Sequence, residues 1–87
     1  MRSDRGQRIH LALVDFLSDA FSIAPEVVSP EARLVEDLGL DSVSRFEMAV
    51  VLEDALAIRF PPDLLGEMTT IQDVIDWAAQ LSKRPEP

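Results

Sequence analysis

The 87-residue chain has no cysteine and a single histidine. Without cysteine there is neither a disulfide frame nor a thiolate metal site, and one histidine rules out a histidine-rich metal cluster. Long apolar runs are missing as well. Nothing approaches the roughly 20 residues that a membrane-spanning helix needs, and Met1-Arg2-Ser3-Asp4 leads into no signal-peptide core. Bases are scarce, 8 against 16 acids, for a net charge of −8. That balance argues against nucleic acid as a partner, because binding phosphates takes a basic face. Strand alternation, internal repeats and low-complexity tracts are also absent. These absences point to a small cytoplasmic protein, monomeric, with no membrane partner, built as one domain over residues 1–87.

What the chain does have is apolar side chains, 47% of the total, enough for a core and too many for disorder. Ile9, Leu13, Phe16, Leu17, Ala20 and Phe21 recur at helical spacing, which predicts a first helix from about Asp4 to Phe21. Residues 22–41 have no clear period and contain Pro25, Pro30 and Gly39. A connection of that length is uncommon in a compact domain. Its Ile23, Val27, Val28, Leu34, Val35 and Leu38 predict an ordered loop that plugs the core. The helical pattern returns from Ser42 to about Arg59 and stops at Pro61-Pro62, where Pro62 suits the first position of a short helical turn. Thr70-x-x-Asp73 reads as a capping box for a last helix over Ile71 to Leu81, with Ile71, Val74, Ile75, Ala78 and Leu81 inward. Trp77, Met48 and Met68 read as core. The predicted fold is all-α, a small four-helix bundle of three main helices and one short one with a long first loop, its core over residues 4–81 and a loose tail over 82–87.

The second helix carries apolar residues on two arcs. At about 100° per residue, Met48, Val51, Leu52, Ala55 and Leu56 form a core face, while Val43, Phe46 and Val50 lie nearly opposite. The second strip is bordered by Glu47, Glu53 and Asp54, which a buried face would not tolerate. An apolar strip with an acidic rim reads as a docking surface. Six acids but only one base, Arg45, fall between Glu36 and Asp54. Charge of that sign suits partners with basic patches.

Just ahead of that strip stands Asp37-Leu38-Gly39-Leu40-Asp41-Ser42-Val43. A glycine-relaxed loop gives way there to a helix, which puts the Ser42 hydroxyl beside backbone N–H groups and the positive end of a helix dipole, a good place for a phosphate ester. A nucleophilic serine would need a positioned base and an orienting group. The flanks Leu40-Asp41 and Val43-Ser44 are not a nucleophile elbow, and His10 sits among apolar neighbours of the first helix. Ser42 therefore reads as modified, not catalytic, and Asp41 as a helix N-cap.

This segment, followed by Glu47, Leu52-Glu53-Asp54, Phe60-Pro61-Pro62 and Met68-Thr69-Thr70-Ile71-Gln72-Asp73-Val74, resembles the acyl carrier proteins over roughly residues 9–81. The resemblance implies a non-catalytic carrier. Its cofactor would be 4′-phosphopantetheine, attached to Ser42 by a separate phosphopantetheinyl transferase from coenzyme A, with Asp41 assisting recognition by that transferase. It also implies that the second helix is the recognition element, with Val43, Phe46 and Val50 as its apolar part and Glu47, Glu53 and Asp54 as its acids. The implied partners are acyl-loading, ketosynthase-type or condensation enzymes with basic docking patches, in fatty-acid, polyketide or hybrid biosynthesis. Val43, Ser44, Arg45 and Phe46 depart from the usual leucine and more acidic residues after the serine. Seven Arg against one Lys and no Asn suggest a GC-rich genome. Together these lean towards a discrete polyketide or mixed polyketide–peptide carrier. Two alternatives stand beside it: an aminoacyl or peptidyl carrier, disfavoured because Leu40 and Asp41 replace the Gly-x that precedes the serine there, and an unmodified acidic docking module.

Overall fold

The computed structural model describes residues 4–82. Four α-helices follow one another: α1 (Asp4–Phe21), α2 (Ser42–Leu56), α3 (Pro62–Leu65) and α4 (Ile71–Ser82), with a 3₁₀ turn at Pro25–Val27. The predicted bundle is the observed one, with α1 lying against both α2 and α4. The expected tail falls outside the described residues apart from Ser82, which belongs to α4.

Ile9, Leu13 and Leu17 stand four residues apart on α1 and are fully buried, the stripe that a 3.6-residue period generates. Ser22, in the left-handed region at φ 57°, closes the helix. Its N–H donates to the Ser18 carbonyl at 3.0 Å, and the N–H of Ile23 donates to that of Leu17 at 3.3 Å. Met48, Ala49 and Leu52 give α2 its buried side, and Ile71, Val74, Ile75 and Ala78 do the same for α4. Leu64 of α3, Phe60 and Met68 fill the end of the core between them.

The long loop is ordered by bonds to the start of α4. The N–H of Leu34 donates to Thr69 O at 2.8 Å, and Arg33 and Thr70 form an isolated antiparallel bridge. In return the carbonyls of Ala32 and Pro30 each accept, at 2.9 Å, from the N–H groups of Ile71 and Gln72. The first N–H groups of a helix have no partner within it, so the loop supplies acceptors that α4 lacks. The Thr70 and Asp73 pair completes the job. Thr70 Oγ1 accepts from Asp73 N–H at 3.2 Å, and Asp73 Oδ2 accepts from Thr69 and Thr70 N–H at 2.9 and 3.2 Å.

Four expectations need correction. Val28 and Leu34 are buried and Ile23 and Leu38 half-buried, but Val27 and Val35 are exposed. The loop is fixed by its backbone bonds to α4, so not every apolar residue on it reaches the core. Trp77 is 40% exposed, because the buried positions of α4 repeat as 71, 74, 75 and 78 and leave 77 outside. On α2, Ala55 is exposed and Ala49 buried, a rotation of the core face by part of a turn. That helix also ends at Leu56, not near Arg59. Ala57 adopts the left-handed region (φ 56°, ψ 46°), and the N–H groups of Ala57 and Ile58 both donate to Glu53 O, which closes the last turn before Pro61.

Candidate functional site: the N-terminus of the second helix

Residues 33–41 deliver the chain to α2 through two self-capped turns. In the first, Asp37 Oδ2 accepts from the Arg33 N–H at 2.8 Å, with the Arg33 Nε at 3.4 Å from the same oxygen. The N–H of Gly39 donates to Val35 O at 3.0 Å and that of Leu40 to Leu34 O at 2.9 Å. Gly39 sits at φ 71°, a left-handed turn that glycine enters at no steric cost. The turn sends Leu40 into the core and leaves Asp41 and Ser42 on the surface.

Asp41 is the N-cap of α2, with extended backbone and its Oδ1 accepting from Ser44 N–H at 2.8 Å. That hydrogen bond holds the Asp41 carboxyl below the usual carboxylate range, as the Arg33 N–H does for Asp37. Both side chains are anionic at neutral pH. Ser42 is the first residue of α2 and is exposed. Its N–H and hydroxyl have no protein hydrogen-bond partner among the described residues, so the first turn of this helix stays open to solvent.

The chain's one histidine is engaged elsewhere. The His10 Nε2 donates to the Val28 carbonyl at 2.6 Å, joining α1 to the loop. A carbonyl can only accept, so the bonded nitrogen carries the proton. The arrangement offers an accessible hydroxyl at a helix N-terminus, and among the described residues no histidine and orienting carboxylate stand beside it.

The strip beyond Ser42 is on the surface. Val43 is 63%, Phe46 58% and Val50 44% exposed, and Glu47 and Asp54 are exposed beside them. Spacings of three and four residues place these five side chains along one side of the helix. Glu53 differs: it is half-buried, and its Oε2 accepts from the Phe60 N–H at 2.7 Å, so one of its oxygens is committed to the chain reversal after α2. The sequence pattern shows no sign of that bond, because Phe60 lies beyond the helix. It also missed the condition of Arg45. That side chain is half-buried, and its Nε is shielded from solvent with no hydrogen-bond partner.

Residues 12–78 match the phosphopantetheine attachment site family. The acyl carrier protein of Thermobifida fusca is 34% identical over 65 residues, 75% of this chain and 82% of the relative. The meromycolate extension acyl carrier protein of Mycolicibacterium aurum is 32% identical over 77 residues, 88% of this chain and 79% of the relative. The crystal structure of an acyl carrier protein from Thermotoga maritima superposes with a TM-score of 0.80 at 21% identity, covering 93% of this chain and 94% of that one, which identifies the fold.

Proposed function

The chain belongs to the phosphopantetheine attachment site family and is an acyl carrier with 4′-phosphopantetheine as its covalent cofactor; from that premise we propose that Ser42 takes the arm and that α2 presents it to partner enzymes. The observation that carries this reading is an exposed serine at the open first position of a helix whose cap is already made by the residue before it.

The residues present suit a phosphodiester. The Ser42 hydroxyl is accessible, and free N–H and the helix dipole favour an anion. When bound, the arm supplies a thiol on a flexible chain, on which an acyl group is held as a thioester. Asp41 orients the first turn of α2 and offers its carboxylate to a phosphopantetheinyl transferase, the enzyme that brings the arm from coenzyme A. Val43, Phe46 and Val50 bury apolar surface against a partner, while Glu47 and Asp54, with the remaining oxygen of Glu53, meet its basic residues.

The protein then shuttles acyl intermediates between loading and condensing enzymes of fatty-acid, polyketide or hybrid biosynthesis, as a cytoplasmic monomer. Among the described residues no helix is long and apolar enough to cross a membrane. Intact mass, taken before and after treatment with a broad-specificity phosphopantetheinyl transferase and coenzyme A, tests the attachment. The expected result is one pantetheine-phosphate addition, absent in Ser42→Ala with its helical circular dichroism unchanged. Addition that survives in Ser42→Ala would move the arm to another residue and sink the assignment.

A further inference from the structure

Beside the strip on α2 lies an open groove shared with α1. It is lined by Ala12, Asp15, Phe16 and Asp19 of α1 and by Val51 of α2, and its volume is about 580 Å³. A water occupies about 30 Å³, so the groove has room for several side chains. Ala12, Phe16 and Val51 are half-buried and make an apolar floor. The Phe16 ring is held edge-on against Phe21, with centroids 5.6 Å apart and planes at 89°, so that wall is set before anything enters. Asp15 and Asp19 are exposed one helical turn apart. Neither makes an ion pair among the described residues.

The α2 side of the groove continues into the strip. Glu47 precedes Val51 by four residues and Asp54 follows it by three, which puts two exposed acids on the turns that flank Val51. An apolar floor therefore runs between carboxylates from two helices. A bare cation would leave that floor in water, and a purely apolar chain would leave the carboxylates unmatched. A helix with an apolar edge and bases on either side of it meets both. The spacing also fits: at 1.5 Å per residue, Asp15 and Asp19 lie about 6 Å apart along their axis and Glu47 and Asp54 about 10.5 Å. Bases at i, i+4 and i, i+7 on a visiting helix have the same rises. The stems of lysine and arginine lie well on apolar surface while their heads reach outward to charge.

We propose that the docking surface does not stop at α2: the groove between α1 and α2 seats a basic amphipathic helix of a partner enzyme. The apolar edge of that helix lies on Ala12, Phe16 and Val51, and its bases meet Asp15 and Asp19 on one side and Glu47 and Asp54 on the other. The inference rests on the α2 strip meeting partners as proposed above. A partner that touches one helix alone can roll about it. A second line of contact on α1 fixes the roll, and with it the direction from which Ser42 is approached.

The test titrates the full-length protein, observed by amide nuclear magnetic resonance, with a synthetic helical peptide that carries leucine along one edge and arginine on both sides of it. A second peptide has glutamate in place of each arginine. The arginine peptide should bind saturably and move the amides of Ala12, Phe16 and Val51, while the glutamate peptide should not. Asp15→Asn with Asp19→Asn should weaken binding about tenfold at low salt, and the loss should narrow at 1 M salt, where the screening length is about 3 Å. Glu26→Gln with Glu31→Gln removes the same charge from the exposed loop and should leave binding unchanged. Equal losses in the two double variants would mean attraction to net charge alone and overturn the groove. Shifts confined to Val43, Phe46 and Val50 would overturn the groove and leave the strip standing. Binding that ignores Glu47→Lys with Asp54→Lys would sink the strip and, with it, the continuous surface. Loading with an octanoyl chain that moves the same three amides and displaces the peptide would give the groove to cargo instead. The salt dependence and the glutamate peptide decide the matter on wild type if the asparagine variant disturbs α1.

Discussion

Helices α2 and α4 both follow loops, and they begin in opposite ways. At the start of α4 the N–H groups of Ile71, Gln72 and Asp73 are all taken, by the carbonyls of Ala32 and Pro30 and by Thr70 Oγ1. At the start of α2 a single carboxylate oxygen, from Asp41, accepts from Ser44, while Ser42 and Val43 stand exposed. Both ends have a polar cap, so capping alone does not separate them. The difference lies in what covers the cap. A loop folds over α4 and makes its first turn part of the core, with Ile71 fully buried. Among the described residues nothing folds over the start of α2, and its first turn keeps unused donors and an accessible hydroxyl. One end closes the fold, and the other is the end proposed to take the arm.

The contrast is broken most severely at the closed end. Replacing Thr70 and Asp73 together by alanine removes both halves of the capping box, each worth about 1 kcal/mol. The melting temperature should fall by roughly 10 °C in a domain of this size, while Ser42 is loaded at an unchanged rate. Slower loading would mean that the two ends are coupled. Asp41→Ala at the open end should lower the melting temperature less, because no loop is bound there, and should slow loading clearly. A melting point that drops further than in the double variant would reverse the comparison.

Acid sharpens it. Asp37 and Asp41 have folded-state pKa values below their ordinary 3.8, so their contribution to stability is complete above that value and is lost as pH falls through the folded-state values. The melting-point gap between wild type and Asp37→Asn should therefore be present at neutral pH and shrink well below pH 3.8. A gap that does not change with pH would mean that Asp37 acts without its charge. The smallest effect on stability is expected on the strip. Glu47→Lys with Asp54→Lys should change stability by less than about 0.5 kcal/mol. Acyl transfer to a condensing enzyme should nevertheless slow at least tenfold at low salt, about the lower end of electrostatic steering. Undiminished transfer would make these acids solubilising only.

Much of this was legible in the sequence. The bounds of α1, the Pro62 start of α3 and the Thr70–Asp73 box follow from local rules, and the structure has them as written. The exposure of Val43, Phe46 and Val50 was readable for a different reason: acids at Glu47, Glu53 and Asp54 border that side, although Glu53 itself proved half-buried. What escaped depends on contacts made elsewhere in the chain. Val27 and Val35 are held outward by a backbone that is fixed on α4, and their types say nothing of it. The early end of α2 has no glycine to announce it, since an alanine takes the left-handed position. The bond from Phe60 to Glu53 and the stranded nitrogen of Arg45 are likewise invisible until the helix and its neighbours are in place.

The clasp between the loop and α4 also sets an order of events in folding. Arg33 and Thr70 pair across the whole of α2 and α3, so the chain between them must already be compact before those bonds can form, and closing so long a span has an entropic cost that only late packing repays. Amide exchange at Ile71 and Gln72, whose partners lie in the loop, should then require global unfolding, while the amides of Ser42 and Val43 exchange freely in the native state. The end proposed to take the arm would gain no such protection on folding and would be the first to meet another protein.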